Sequence, residues 1–472
     1  MPVPEAIAEA VSAQTSGSVI APAGYGKTET IAEIVANTTG RCLLLTHTLA
    51  GVEALKSRLK SKGVRPERYQ LDTIAAWALR YASSFPKASG IPSITTPRGN
   101  QWPTVYLAAR QLLTSGTLDV VVKASYSMVL VDEYQDCTVS QHEIIKELSR
   151  TVPVIVFGDP LQGIFDFGSE AVVDWTVDVL PTFPQVDELK TPWRWKKLGN
   201  HDLAKWLRAT RDDLLAGRAI DLQTVPSCIR VHHVKNQALV RKLEAKACNA
   251  ISPSPTNRLV IVGTKGSENQ RAALAKRVRA QNVETIECKG LQEACVKIEA
   301  TTGFPRLRYF VTFLSKSIVG VRPTPFLRRV EDIHKGKRIT KPLSVREAAA
   351  LQIINDDHLE PLTILIDEFR KVGQAFRSEL LFALKDSLAS RILSEHPTLL
   401  DCAWHIQERR RHVGRRHGYK IVTSTLLVKG LEYENSVVFL SHPMTKEDAY
   451  VALTRASLRI DIVTEHMKFQ PS

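Results

Sequence analysis

SVIAPAGYGKTET, residues 18–30, reads as a strand end, a phosphate loop and the first turn of a helix. Val19 and Ile20 lead into Ala21-Pro22-Ala23-Gly24-Tyr25-Gly26-Lys27-Thr28, and Ile31, Ile34 and Val35 then share one face of a helix that runs to Gly40. The spacing is that of a Walker A loop with Ala21 at the first glycine position. Gly24 and Gly26 let the backbone approach an anion closely. The consecutive N–H groups from Ala23 through Tyr25 to Gly26, with the helix N-terminus behind them, can therefore cradle phosphate. Lys27 is placed to reach the β- and γ-phosphates, and the Thr28 hydroxyl to ligate Mg²⁺. The stretch predicts binding of a nucleoside triphosphate.

A chain of 472 residues is long enough for about two to four domains with substantial cores. Its 44% apolar content is ordinary for a globular protein and sets disorder aside. The formal net charge of +14 predicts a polyanionic partner, and nucleic acid fits a chain with a nucleotide loop better than an anionic membrane does. No apolar run reaches the length of a membrane span, since the longest candidate, near Tyr309 to Val321, is broken by Lys316. MPVPEAIAEAV at the N-terminus lacks the basic and apolar regions of a signal peptide. The seven cysteines are scattered without a CxxC pair and read as reduced thiols of a cytoplasmic protein, not as zinc or iron–sulfur ligands.

Outward from the loop, Arg41 to Leu45 is a second buried-strand run, closed by Thr46-His47-Thr48 before a helix with Leu49, Val52, Leu55 and Leu59 on one face. Hydroxyls at the carboxyl end of a parallel strand stand where such sheets bind ligands, so Thr46 and Thr48 read equally as contacts or as caps. Leu71 to Arg80 reads as a helix that begins at Asp72 or Thr73. The weakly patterned stretch from Tyr81 to Val122, with its Pro, Gly and Ser clusters, reads as a small insertion outside the core. Ser127 to Val131 is a strand that delivers Asp132-Glu133-Tyr134-Gln135-Asp136. Two adjacent carboxylates suit two tasks there: Asp132 holds Mg²⁺ through its water shell, and Glu133 polarises the water that attacks the γ-phosphate. Val154 to Phe157 is a further strand, followed by Gly158-Asp159-Pro160-Leu161-Gln162-Gly163-Ile164-Phe165-Asp166-Phe167. Gln162 stands where an amide senses the γ-phosphate or its attacking water. Phe165 and Phe167 offer ring faces to unstacked bases or belong to the core.

In order along the chain, APAGYGKT, LLLTHTLAGVEALKSRL, LDTIAAWALR, VLVDEYQD, VIVFGDPLQGIFDF, LKTPWRW, TLLVKGLEYENSVVFL and AYVALTRA resemble the motifs of superfamily 1A DNA helicases of the UvrD/Rep/PcrA type. DEYQD, GDPLQ, VKGLEY and YVALTRA carry the resemblance, which runs from residue 19 to residue 456. It implies that Arg194 reaches the γ-phosphate from the second motor domain, that Gly430 and Glu432 sit by the nucleotide, and that Arg455 is the arginine finger. It also places Thr46, Thr48, Thr73, Phe165, Phe167, Trp193 and Trp195 toward DNA, with Trp193 and Trp195 either stacking on bases or filling a core.

Ile229 to Val234 and Leu259 to Val262 read as strands of a second α/β unit, and Lys289 to Gly414 as mainly helical. Basic patches punctuate that helical stretch, and ERRRHVGRRHGYK, residues 408–420, suits a phosphate backbone or a solvated helix end. The departures from the family are unevenly spread. Residues implied to act on ATP are all present, whereas Thr73-Ile74-Ala75 replaces the family's Thr-Phe-His, Leu426 its fifth-motif histidine, and Leu49-Ala50 its Asn-Lys. An adenine-recognising glutamine is missing too, since Gln14 is too close to Lys27.

The expected fold is α/β, with two RecA-like P-loop domains built on parallel sheets. Residues 1–75 and 126–188 would form the first motor domain, with a small insertion at 76–125. Residues 189–288 and 415–472 would form the second, with a mainly helical insertion at 289–414. The expected activity is an ATP- and Mg²⁺-dependent translocase or helicase moving 3′ to 5′ on single-stranded or partly duplex DNA. Compact helicases of this type also occur beside nucleases in antiphage systems such as Gabija. The alternative is therefore a nucleotide- or DNA-sensing subunit that controls a partner nuclease.

Overall fold

β1 (Gly17–Ile20), β2 (Cys42–Thr46), β3 (Tyr69–Thr73), β4 (Met128–Val131), β5 (Val154–Gly158) and β6 (Gln185–Glu188) form a six-stranded sheet in the order β3-β2-β4-β5-β1-β6, parallel at every pairing. The structure, a computed structural model, describes residues 2–91, 97, 101–165, 170–263, 268–283, 289–338, 340–356, 358–413, 418–441 and 443–472. Every residue of β2, β4 and β5 is buried, which is why these strands are continuous apolar runs in the sequence: a parallel sheet is covered on both faces. The edge strands β3 and β6 read YQLDT and QVDE, are mostly half-exposed, and leave no such mark. β3 takes up residues expected to open a helix. That helix begins only at Ile74, where the Thr73 hydroxyl accepts a hydrogen bond from the Ala76 N–H at 3.0 Å and caps it.

The stretch from Tyr81 to Val122 corrects the expectation that it lies outside the core. Its helix Trp102–Thr114 buries Val105, Tyr106, Ala109, Leu112 and Leu113, and Leu118 and Val122 follow them into the cluster that holds Trp77, Val129, Val131 and Val156. Contacts gather Met1–Ile229, His442–Leu458 and Met467–Ser472 into one unit, and Arg230–Ser441 with Arg459–His466 into another. The segments with Arg194 and Arg455, expected in the second motor domain, thus fall in the unit of the first sheet. That unit also holds an antiparallel pair, β7 (Ile220–Asp221) and the C-terminal Lys468–Phe469.

The second sheet comprises β8 (Ile229–His233), β9 (Leu259–Gly263), β10 (Gln281–Asn282), β11 (Lys420–Ser424), β12 (Tyr433–Leu440) and β13 (Ala456–Thr464), in the order β10-β11-β9-β12-β13-β8. β10 on β11, β11 on β9 and β12 on β9 are parallel. Between β10 and β11 the chain is helical from Lys289–Glu299 to Leu399–Val413, around a core of its own that includes Leu307, Phe310, Ile353, Leu365 and Leu384. Of the basic run at 408–420, the side chains of 408–417 lie outside the described residues. Among the described residues no helix is long and apolar enough to cross a membrane.

One buried charge cluster ties β8 to β13. The fully buried carboxylate of Asp461 lies 2.7 Å from His232 Nε2 and accepts a hydrogen bond from Arg459 Nη2 at 2.9 Å. Burial alone would raise the pKa of Asp461, but His232 and Arg459 outweigh it and hold the carboxyl below its ordinary value. A depressed carboxylate contributes stability above its unfolded pKa of about 3.9 and loses that contribution as pH falls through the lower folded value. Asp461→Asn is expected to cost about 3–5 kcal/mol at neutral pH, toward the lower end because Arg459 keeps some access to solvent. Urea-unfolding midpoints against pH check this: the difference between wild type and variant should shrink in acid.

Candidate nucleotide site

β1 delivers the chain to a loop whose two glycines have backbones suited to little else. Gly24 has φ +78° and Gly26, the N-cap of helix Lys27–Asn37, has φ +89°. At Gly24 space is short as well, because a Cβ there would lie 2.9 Å from a ring carbon of Trp195 and 3.1 Å from Arg194 Cβ. The loop therefore presents main chain to the space before the helix N-terminus, where unpaired N–H groups and the helix dipole favour an anion.

Lys27 Nζ lies 2.8 Å from Asp132 Oδ1 and 2.6 Å from Glu133 Oε1. Burial would lower the lysine pKa, but the two carboxylates outweigh it and raise it, so the amine is an ammonium. Asp132 is raised: burial is the main cause, Lys27 opposes it and the like charge of Glu133 adds to it. A fixed ammonium with glycine-lined main chain fits polyphosphate. The Thr28 hydroxyl and Asp132 carboxylate are hard oxygen donors of the kind Mg²⁺ takes.

Glu133 has φ +55°, which is uncommon for a non-glycine residue and is found where a site over-determines its backbone. Its second carboxylate oxygen accepts a hydrogen bond from Gln135 Nε2 at 2.6 Å. From there the contacts continue without a gap. Gln135 Oε1 accepts from the Asp159 N–H at 3.1 Å, Asp159 Oδ2 accepts from Gln162 Nε2 at 2.8 Å, and Gln162 Oε1 accepts from Arg455 Nη2 at 3.5 Å. Arg455 is 1% exposed, and its guanidinium is also held by the Val451 carbonyl and the Thr454 hydroxyl, each at 2.8 Å. The helix before it, Lys446–Leu453, ends two residues short of Arg455, and Ala456 after it opens β13. Arg194 joins the loop from the other side, donating its backbone N–H to the Gly24 carbonyl at 3.0 Å and its guanidinium to the Thr454 carbonyl.

The structure thus brings Lys27, Asp132, Glu133, Gln162, Arg194 and Arg455 together around the loop Ala23–Thr28. Gly430 and Glu432 are exposed residues of the second unit. The residues expected toward DNA divide. Trp195 is corrected: its indole is 1% exposed and donates Nε1–H to the Ala456 carbonyl at 2.9 Å, so it fills a core and has no free face for a base. Thr46 is corrected likewise, being fully buried with its hydroxyl against Gly51. Thr48 caps the helix Leu49–Ser61 by accepting from the Gly51 N–H at 3.1 Å, and Thr73 is a cap as described above. Trp193 is half-buried beneath the Lys196 ammonium, and Phe165 is half-buried with its ring 5.8 Å from that of His47. Phe167 lies outside the described residues.

Three residues of the network were not singled out by the sequence: Gln135, Asp159 and Arg211. Gln135 and Asp159 sit inside DEYQD and GDPLQ, where attention to both motifs could have found them. Arg211 Nη1 pairs with Asp159 Oδ1 at 2.8 Å, with both side chains buried. Nothing local to Arg211 signals that pairing.

Residues 4–168 match the AAA domain family. No curated protein sequence matches the chain. Among solved structures, the chain is similar to the Pif1 helicase from Candida albicans at 11% identity and TM-score 0.41, covering 98% of this chain and 95% of that one. It is similar to the Pif1 helicase from Bacteroides in complex with ADP-AlF3 and ssDNA at 11% identity and TM-score 0.35, covering 99% and 93%. It is also similar to Arterivirus nonstructural protein 10 (helicase) with DNA at 13% identity and TM-score 0.31, covering 97% of this chain and 62% of that one, so it spans less than two thirds of the viral protein.

Proposed function

We propose that this chain is an ATP-hydrolysing motor on DNA, of the superfamily 1A kind, moving 3′ to 5′ along a single strand. The observation that carries the proposal is the unbroken set of contacts from Lys27 through Glu133, Gln135, Asp159 and Gln162 to Arg455. In this reading Lys27 exchanges its carboxylate partners for phosphate oxygens, and the N–H groups of Ala23–Gly26 hold the anion. Glu133 takes a proton from the attacking water, which Gln162 orients, and Arg455 and Arg194 stabilise the charge that develops on the transferring group. Thr28 and Asp132 would hold Mg²⁺, which when bound neutralises charge on the phosphates. The helicase resemblance implies nucleotide contacts at Gly430 and Glu432 as well.

A second reading has its own support. Thr46 and Trp195 are buried and Thr73 is a buried cap, so three residues expected toward DNA are engaged inside the protein, while Thr48 is an exposed cap. This favours a nucleotide-sensing subunit that controls a partner such as a nuclease, with little unwinding of its own.

Steady-state ATP hydrolysis with and without single-stranded DNA, at 50 and 200 mM salt, separates the two. For the motor, DNA raises turnover and the concentration of single-stranded DNA needed climbs about 300-fold or more over that salt range if six or more phosphates are contacted. Hydrolysis indifferent to DNA would favour the sensing subunit. No hydrolysis under any of these conditions would overturn both.

A further inference from the structure

Arg211 belongs to none of the segments that resemble helicase motifs, yet its side chain is 3% exposed and reaches a carboxylate that is fully buried. It lies on the helix His201–Leu215, with its guanidinium 5.6 Å from the ring of Tyr450, whose hydroxyl in turn meets the backbone of Ala23. Burial would lower the pKa of Arg211, and the Asp159 carboxylate outweighs this and raises it, so the guanidinium stays charged.

Asp159 divides its two oxygens. Oδ1 accepts from Arg211 Nη1 at 2.8 Å and from the Leu161 N–H at 3.3 Å, while Oδ2 accepts from Gln162 Nε2 at 2.8 Å. An ionised carboxylate only accepts, whereas a glutamine amide has one accepting end and one donating end. With Asp159 Oδ2 accepting from it, Gln162 turns its NH₂ toward that carboxylate and its carbonyl oxygen the other way, where Arg455 Nη2 lies 3.5 Å off. Without the Arg211 guanidinium on Oδ1, the Asp159 carboxylate can turn about its Cβ–Cγ bond and withdraw Oδ2 from the Gln162 amide. Gln162 would then lose the contact with Asp159 that sets its orientation, and a flipped amide would present a donor toward Arg455.

We propose that Arg211 is a positioning residue: by holding Oδ1 of Asp159 it keeps Oδ2 on the Gln162 amide and so fixes that amide with its oxygen toward Arg455 and the reacting water. The inference rests on the ATPase reading above and adds to it a residue that reading does not use.

The test is a double-mutant cycle in the full-length chain, comparing Arg211→Met, Gln162→Ala and the double variant with wild type, with ADP affinity and unfolding temperature recorded for each. Arg211→Met is expected to lower kcat roughly tenfold to 10²-fold, the scale of a misplaced reacting group, with KM for ATP changed by less than about threefold. In the Gln162→Ala background the same substitution should cost less than about threefold more, because the group it positions is gone. Arg211→Lys, which restores the charge without the planar fork, should recover part of the loss. Should Arg211→Met fail to fold, Asp159→Asn replaces it in the cycle with the same expectation. Equal fractional losses in both backgrounds, or a loss confined to KM, would overturn the positioning role while leaving the ATPase reading intact. Wild-type protein without ATP turnover would overturn both.

Discussion

Glu133→Gln is expected to lower ATP turnover by about 10²- to 10⁴-fold, the contribution of a positioned general base, and to leave ADP affinity within about threefold of wild type. The substitution keeps the shape of the side chain and removes its capacity to take a proton. Three observations single out this carboxylate and not its neighbour. Glu133 is 28% exposed on its side chain, so water reaches it, whereas Asp132 is almost enclosed. Its backbone is held at φ +55° while both carboxylate oxygens are turned inward, one to Lys27 and one to Gln135. The amide that follows in the network, Gln162, lies two hydrogen bonds beyond Gln135. Because Lys27 keeps Asp132 as a partner, the loop should hold its form in the variant and still bind nucleotide. Fluorescent-ADP titration beside steady-state hydrolysis makes the comparison. A variant that kept full turnover would remove Glu133 from the chemistry and with it the site assignment.

How much of this site is legible in the sequence depends on whether a residue's task is written in its immediate neighbours. Gly24 and Gly26 declare themselves because a positive φ leaves glycine as the low-cost choice. β2, β4 and β5 declare themselves because burial on both faces demands unbroken apolar runs. β3 and β6 do not, being polar edge strands whose pairing is set by partners far along the chain. The helix Trp102–Thr114 was obscured by the Pro- and Gly-bearing stretch before it, although Val105, Ala109 and Leu112 already carry a helical period. Trp195 could not be separated from a stacking residue until the Ala456 carbonyl appeared beside its N–H. Arg211 is the extreme case. Within HDLAKWLRATRDDLL it resembles any basic residue of an exposed helix, and its partner is fifty-two positions away.

Arg455→Ala is expected to have the largest effect of any substitution here, lowering kcat by about 10³- to 10⁵-fold, the scale of a lost arginine finger. An arginine at a surface would cost little to remove. This one is 1% exposed, and it is aimed: Nε is committed to the Val451 carbonyl and Nη2 is shared between Thr454 Oγ1 and Gln162 Oε1. Such anchoring spends part of the guanidinium fork on position, so the charge is in place before the reaction begins and no reorganisation is needed as the transition state forms. Arg455→Lys should therefore fall nearly as far as alanine, because an ammonium cannot hold the Val451 carbonyl and face Gln162 at the same time. The burial that makes the argument also supplies the rival explanation, since removing a buried, hydrogen-bonded arginine can simply loosen the helix Lys446–Leu453. ADP affinity distinguishes the two. Loss of turnover with ADP bound as in wild type means that Arg455 acts on the reacting phosphate, whereas parallel loss of both means that it holds the loop together through Tyr450 and Ala23.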